Sequence, residues 1–219
     1  MAEFFRLRDA FRTEPMTTPN PVHEPTYWEA RYKDGRTGWE RGVPTPAFID
    51  LLEGPSALPP GRLAAPGCGR GHDALLFASH GFEVVGFDFA PSAVAGATEL
   101  AHSKGLDDHA RFEQADVFTL HQRYPEAFDY VLERACFCAI APADRDRYVT
   151  NIRAILKPGG RLIASFFIGP AEGGPPFAAD WEIIKAHFAP WFEIDEAHEP
   201  EIETPMDGAD LFAILRRVR

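Results

Sequence analysis

The stretch LAAPGCGRGHDALLFA, residues 63–78, decides the fold. A short apolar run at 63–66 meets glycine at alternate positions, Gly67, Gly69 and Gly71, and a helical pattern begins at His72. Glycine adopts positive φ at no steric cost and lets backbone N–H groups come close to a ligand. In an open parallel sheet, ligands sit just beyond the carboxyl ends of the strands, which is where this turn falls. The dinucleotide fingerprint is G-x-G-x-x-G. Here the third glycine comes one residue early and residue 72 is His, which weakens the dinucleotide reading and leaves a tight turn without a ligand as an alternative.

From residue 44 onward, strands and helices alternate around this turn. PTPAFIDLLEG opens on Pro and closes on Gly, the start and stop of a helix. GRLAAP reads as the strand that feeds the glycines, and HDALLFASHG as the helix that leaves them. FEVVGFD, ARFEQAD, FDYVLE and RLIASFFI read as further strands. PSAVAGATELAHSKG and PADRDRYVTNIRAILKPGG are helices, the second stopped by Pro-Gly-Gly. A helix near 180–188 and strands near 191–198 and 209–217 complete the pattern. Strands separated by helices imply right-handed crossovers and helices on both faces. The expected fold is therefore α/β, a Rossmann-like doubly wound sheet of seven strands, mainly parallel. The last two strands have no helix between them, so an antiparallel strand is expected at the edge. Residues 13–26, with four prolines among polar residues, read as an extended linker. The expected organisation is an arm over 1–25, flexible or a lid, and one domain over 26–219.

Charge and composition narrow the partners. A net charge of −11 opposes binding to nucleic acid, whose affinity rests on phosphate neutralisation. No run of 18 apolar residues exists to span a membrane, and the N-terminus lacks the apolar core of a secretory signal. A cytoplasmic location, a small-molecule partner and a monomer are expected. Cys68, Cys136 and Cys138 match no disulfide framework and no zinc spacing, and read as buried apolar thiols. No metal is expected. Asp144, Arg145, Asp146 and Arg147 read as a solvated helix face.

Two acids add to the glycine turn. Asp88 ends the second strand 21 residues after Gly67, placed to accept hydrogen bonds from ribose hydroxyls. Asp116 stands just past the third strand, where it can face an adenine amino group. Either alone is commonly a solvated strand-end residue; together, beside the glycines, they point to an adenosine-shaped ligand.

These residues resemble a class I S-adenosylmethionine-dependent methyltransferase. PGCGRGHD resembles that family's first motif, and LKPGGRLIASFF its segment into the fifth strand. YWEARYKDGRTGWERGVPTP, FDYVLERACFCAIAPADRDRY and GGPPF resemble the branch that holds thiopurine and halide/thiol methyltransferases. The match covers roughly residues 26–215. It implies cofactor contacts from Trp28, Tyr32 and Trp39, with Gly67 and Gly69 beneath the methionine part. It also implies Asp88 on the ribose and Asp116 with Val117 around the adenine. Many members carry Trp where this chain has Tyr32. Aromatic faces attract a cation such as a sulfonium by about 0.5–2 kcal/mol.

The resemblance also singles out Arg134, in LERACF, as the catalytic and substrate-facing residue and as a further cofactor contact. Thiopurine members carry Arg there and halide-using members Tyr, whereas CFCAI is similar to the halide/thiol side. Methyl transfer from a sulfonium is an in-line displacement, for which alignment contributes up to roughly 7–11 kcal/mol. A thiol attacks as its thiolate, and a free thiol of pKa near 8.5 is about a tenth ionised at pH 7.5. A guanidinium beside the sulfur raises that fraction; pairing of Arg134 with Glu133 or a nearby carboxylate is the alternative. The expected function is transfer of a methyl group to a small soft nucleophile, foremost a thiol. Halide, selenium or tellurium acceptors are the alternatives, followed by a non-catalytic cofactor-binding protein and a nicotinamide-dependent dehydrogenase. FFIGPAEGGPPF is expected to wall the acceptor pocket.

Overall fold

The computed structural model describes residues 21–55, 57–169, 173–198 and 209–218. Seven strands, β1 (Arg62–Pro66), β2 (Glu83–Asp88), β3 (Ala110–Gln114), β4 (Phe128–Arg134), β5 (Leu156–Ile168), β6 (Phe192–His198) and β7 (Ala209–Arg217), form one sheet. Its order is β3-β2-β1-β4-β5-β7-β6. The first five strands pair in parallel, and β7 runs against both β5 and β6. The antiparallel strand, β7, belongs to the edge pair, as expected of the last two strands, with β6 outermost. Strand order reverses between β1 and β4, so the turns after these two strands lie side by side at the switch point where α/β sheets bind ligands.

Helices α1 (Pro25–Lys33), α2 (Pro46–Glu53), α3 (His72–Ser79), α4 (Pro91–Ser103), α5 (Leu120–Arg123), α6 (Arg145–Ile155) and α7 (Trp181–Phe188) complete the element order. Alternate residues of each strand feed opposite faces. Leu63 and Ala65 of β1, Tyr130 and Leu132 of β4, and Phe212 and Ile214 of β7 pack with α2 and α3. Ala64, Val131, Leu211, Ala213 and Leu215 pack with α6 and α7 on the other face. Both faces are apolar, as a sheet covered on two sides requires.

Two local features differ from the sequence expectations. The linker expected to reach residue 26 is folded from residue 21: a 3-10 turn, Pro21–His23, leads into α1. Residues 1–20 of the expected arm lie outside the described residues. Helix α6 stops at Ile155, before the Pro-Gly-Gly, because Pro158 disfavours helix at the residue before it, and the chain enters β5 at Leu156. Helix α1 has no apolar stripe. It is held by Glu29, whose carboxylate accepts from the Ser92 N–H and hydroxyl (2.9 and 2.7 Å) at the start of α4.

Candidate active site

The glycine turn is built by backbone geometry. Gly67, Gly69 and Gly71 all have positive φ. At Gly67 a side chain has no room: a Cβ would lie 2.8 Å from the sulfur of Cys136, in the turn after β4. Replacing Gly67 with Ala is therefore expected to lower stability by about 1–3 kcal/mol, from the left-handed backbone and the forced displacement of Cys136. Thermal unfolding reads this, and an unchanged midpoint would contradict the packing. The Cys68 N–H donates to the Phe87 carbonyl (3.0 Å), fastening the turn to β2.

Asp88 closes the other side of the turn. One carboxylate oxygen accepts from the Gly69 N–H (2.8 Å) and the other from the Ala90 N–H (2.9 Å). The group is only 7% exposed, and burial outweighs these bonds, pushing its pKa up to about 6. A carboxylate has roughly four lone-pair sites, so two backbone bonds leave acceptor capacity for ligand hydroxyls. Asp116 accepts from the Phe118 N–H at one oxygen (2.8 Å), and its other oxygen has no partner among the described residues.

Three aromatic side chains cover the turn. Trp28, Tyr32 and Trp39 meet edge to face, with Trp39 centred 5.8 Å from each of the other two. The Tyr32 hydroxyl stands 3.1 Å from where a Cβ on Gly69 would be. The Trp28 indole N–H donates to the Val22 carbonyl (3.0 Å), which draws the 3-10 turn over the site. Beside Gly69 lies Glu40. One of its oxygens pairs with Arg70 (2.6 Å), while the other is buried without a hydrogen-bond partner.

Arg134 ends β4, and its guanidinium donates to the Trp39 carbonyl (2.6 Å). It makes no ion pair among the described residues. The alternative pairing with Glu133 is absent because Glu133 points the other way. Glu133 is fully buried and accepts from the Cys136 and Phe137 N–H groups (2.8 and 2.9 Å) and from the Tyr148 hydroxyl. This carboxyl, raised by desolvation, pins a turn in which Ala135 has a φ of +56°. Burial also pushes the thiols up, Cys138 to about 12, which keeps Cys136 and Cys138 neutral near pH 7.

The expected solvated face at 144–147 holds for the exposed Asp146 and Arg147 and is corrected at Arg145. Arg145 is 2% exposed, lies over the Phe137 ring and donates to the Phe177 and Ala178 carbonyls (3.3 and 3.0 Å). Its loop partner supplies Pro175 and Pro176 to the site. Phe166 and Phe167, expected in the acceptor wall, are core residues instead.

One cavity of about 420 Å³ joins these parts. The structure brings Trp28, Tyr32, Trp39, Gly67, Asp88, Asp116, Val117 and Arg134 to its wall, and Gly69 to the adjoining recess that also holds Glu40. The volume falls within the range of small-molecule sites, about 300–1,000 Å³. The unpartnered Glu40 oxygen, the spare acceptor capacity of Asp88 and the aromatic cover suit a ligand carrying an ammonium, a ribose and a sulfonium. Sequence reasoning did not single out Glu40 or His23, which also lines the cavity, and named Glu133 only as a partner for Arg134.

The comparisons agree with this architecture. A family model for thiopurine S-methyltransferase matches residues 23–212. Thiocyanate methyltransferase 1 of Arabidopsis thaliana is 38% identical over 70% of this chain and 66% of that protein. Thiopurine S-methyltransferase of Shewanella loihica is 29% identical over 78% of this chain and 85% of its own. The fold resembles Burkholderia thailandensis 1,6-didemethyltoxoflavin-N1-methyltransferase, solved with S-adenosylhomocysteine, with a TM-score of 0.71 at 23% identity, covering 90% of this chain and 88% of the other. Among the described residues, no helix is long and apolar enough to cross a membrane. The chain belongs to the thiopurine S-methyltransferase family of S-adenosylmethionine-dependent methyltransferases.

Proposed function

We propose that this chain methylates the sulfur of a small thiol. S-adenosylmethionine, when bound, supplies a methyl group on a sulfonium. The observation that carries the reading is the shared wall of one cavity: Asp88 and the glycine turn on one side, the unpaired Arg134 guanidinium on the other. Gly67, Gly69 and Glu40 would hold the methionine part, Asp88 the ribose, and Asp116 with Val117 the adenine. Trp28, Tyr32 and Trp39 would exclude water and face the sulfonium. Arg134 would stabilise the incoming thiolate. A second soft anion, thiocyanate, is favoured by the similarity to the Arabidopsis protein of that name. The catalytic unit is residues 26–219, with 1–25 as an arm. It works as a monomer in the cytoplasm, a compartment in keeping with three free cysteines.

The test is an acceptor panel: 2-mercaptoethanol, thiophenol, a thiopurine, thiocyanate, iodide and selenite. Methylated thiol formed with the highest kcat/KM supports the proposal; turnover restricted to non-sulfur acceptors would overturn it.

Asp88 gives this reading a pH signature. Its carboxyl titrates near 6 in the fold against the usual 3.8, so the native protein holds the proton more tightly than the unfolded chain. That contribution to stability is fully present below about 3.8 and is lost as pH rises through about 6, a change of about 3 kcal/mol. Ribose hydroxyls donate to the ionised form. Calorimetry should therefore show S-adenosylhomocysteine binding about tenfold tighter at pH 7 than at pH 5, a dependence that Asp88→Asn should abolish. A pH-independent affinity in the native protein would contradict the assignment.

A further inference from the structure

We infer that His23, held by Asp144, is the general base that takes the proton from a thiol acceptor, an inference that rests on the S-methyl transfer proposed above. Both residues line the cavity, and the His23 Nε2 lies 2.8 Å from an Asp144 carboxylate oxygen. An ionised carboxylate only accepts, so Nε2 carries the hydrogen in this bond, and Nδ1 is the nitrogen whose lone pair can serve as the base. That nitrogen has no hydrogen-bond partner among the described residues. A base within the site, oriented by a third group, is the arrangement that activates a nucleophile.

The other cavity groups are unsuited to the task. Arg134 and Arg147 carry guanidiniums, which donate and have no acceptor lone pair. Cys136 and Cys138 are neutral thiols whose pKa burial has raised. Asp88 and Asp116 belong to the cofactor in the function proposed above, and Glu133 is buried behind the turn, outside the cavity lining. His23 instead sits at the mouth, its side chain 40% exposed, where the imidazolium can return its proton to water. The 3-10 turn that carries it is fixed by the Trp28 indole and so is positioned together with the aromatic cover.

The step balances without another reactant. The acceptor S–H bond breaks and its proton moves to Nδ1 of His23. The sulfur lone pair forms the new S–CH3 bond while the methyl-to-sulfonium bond breaks, its electron pair staying on the departing neutral thioether. Asp144 is a positioning residue that stabilises the imidazolium. A proton-free acceptor needs no such base.

The experiment compares the full chain with His23→Gln, which can still donate to Asp144 but cannot take the proton, and with Asp144→Asn. Acceptors are 2-mercaptoethanol, mostly protonated near neutrality, and two proton-free ones, thiocyanate and 4-nitrothiophenol, the latter already a thiolate. His23→Gln should lower kcat on 2-mercaptoethanol about 10²-fold and Asp144→Asn less. Turnover on whichever proton-free acceptor the native protein uses, and the calorimetric Kd for S-adenosylhomocysteine, should change less than twofold. An ultraviolet band of bound thiolate is expected when native protein binds 2-mercaptoethanol with S-adenosylhomocysteine and should be missing in His23→Gln. An equal loss on all acceptors would mean the pair only straps the turn over the site, and no loss would mean another base; either overturns the inference. A native protein that methylates no sulfur acceptor would instead sink the proposed function.

Discussion

Replacing Arg134 with Met is expected to lower turnover on an aliphatic thiol about 10²–10³-fold, the usual cost of removing one preorganised charge partner. The guanidinium is half-buried, tied to the Trp39 carbonyl and free of any carboxylate partner among the described residues, so its charge is available to the cavity. Its field reaches outward: burial raises the carboxyls of Asp73 and Asp210, and Arg134 acts against that rise in both. Losing one hydrogen bond to Trp39 should weaken S-adenosylhomocysteine binding by about tenfold at most, because the Trp39 indole still reaches the Tyr32 hydroxyl. The effect thus belongs to kcat far more than to cofactor affinity. Unchanged turnover in Arg134→Met would remove the residue from the chemistry.

Replacing Glu133 with Ala should cost about 3–5 kcal/mol, because two backbone N–H groups and the Tyr148 hydroxyl lose a buried charged acceptor together. For a chain of this size, each kcal/mol moves the midpoint by about 2–4 °C, so the expected fall is about 6–20 °C. Glu133→Gln keeps one carbonyl oxygen for the Cys136 and Phe137 N–H groups and should lose much less. The turn also carries Cys136, against which Gly67 packs, so the alanine variant should lose cofactor affinity as well. An alanine variant as stable as the native protein would show that the turn holds itself.

The alternation of strands and helices was legible because glycine and proline punctuate it and the strands are apolar on both faces. The cavity wall was legible where a strand ends: Asp88, Asp116 and Arg134 each close or follow a strand whose end is marked in the sequence. What the sequence concealed were partners distant along the chain. Glu133 alternates with Val131 on a core-facing edge of β4, a signal of burial, but its partner Tyr148 lies on α6. Arg145 looked solvated within a charge run, yet it shares the helical face of Tyr148, Val149, Ile152 and Ile155 at spacings of three, four, seven and ten. That periodicity outranks the local charge pattern. Helix α1 gave no periodic signal because its own Glu29 carboxylate, bound to Ser92 at the start of α4, and an aromatic cluster hold it, not an apolar stripe. His23 pairs with a residue 121 positions away, which no local pattern reveals.

The most direct measurement is a crystal structure of the full chain with S-adenosylhomocysteine. The account predicts the ribose hydroxyls on Asp88, the amino group at the unpartnered oxygen of Glu40, and the thioether sulfur beneath the aromatic trio, facing Arg134. The product bound elsewhere, or bound with its sulfur turned away from Arg134 toward the sheet, would contradict it.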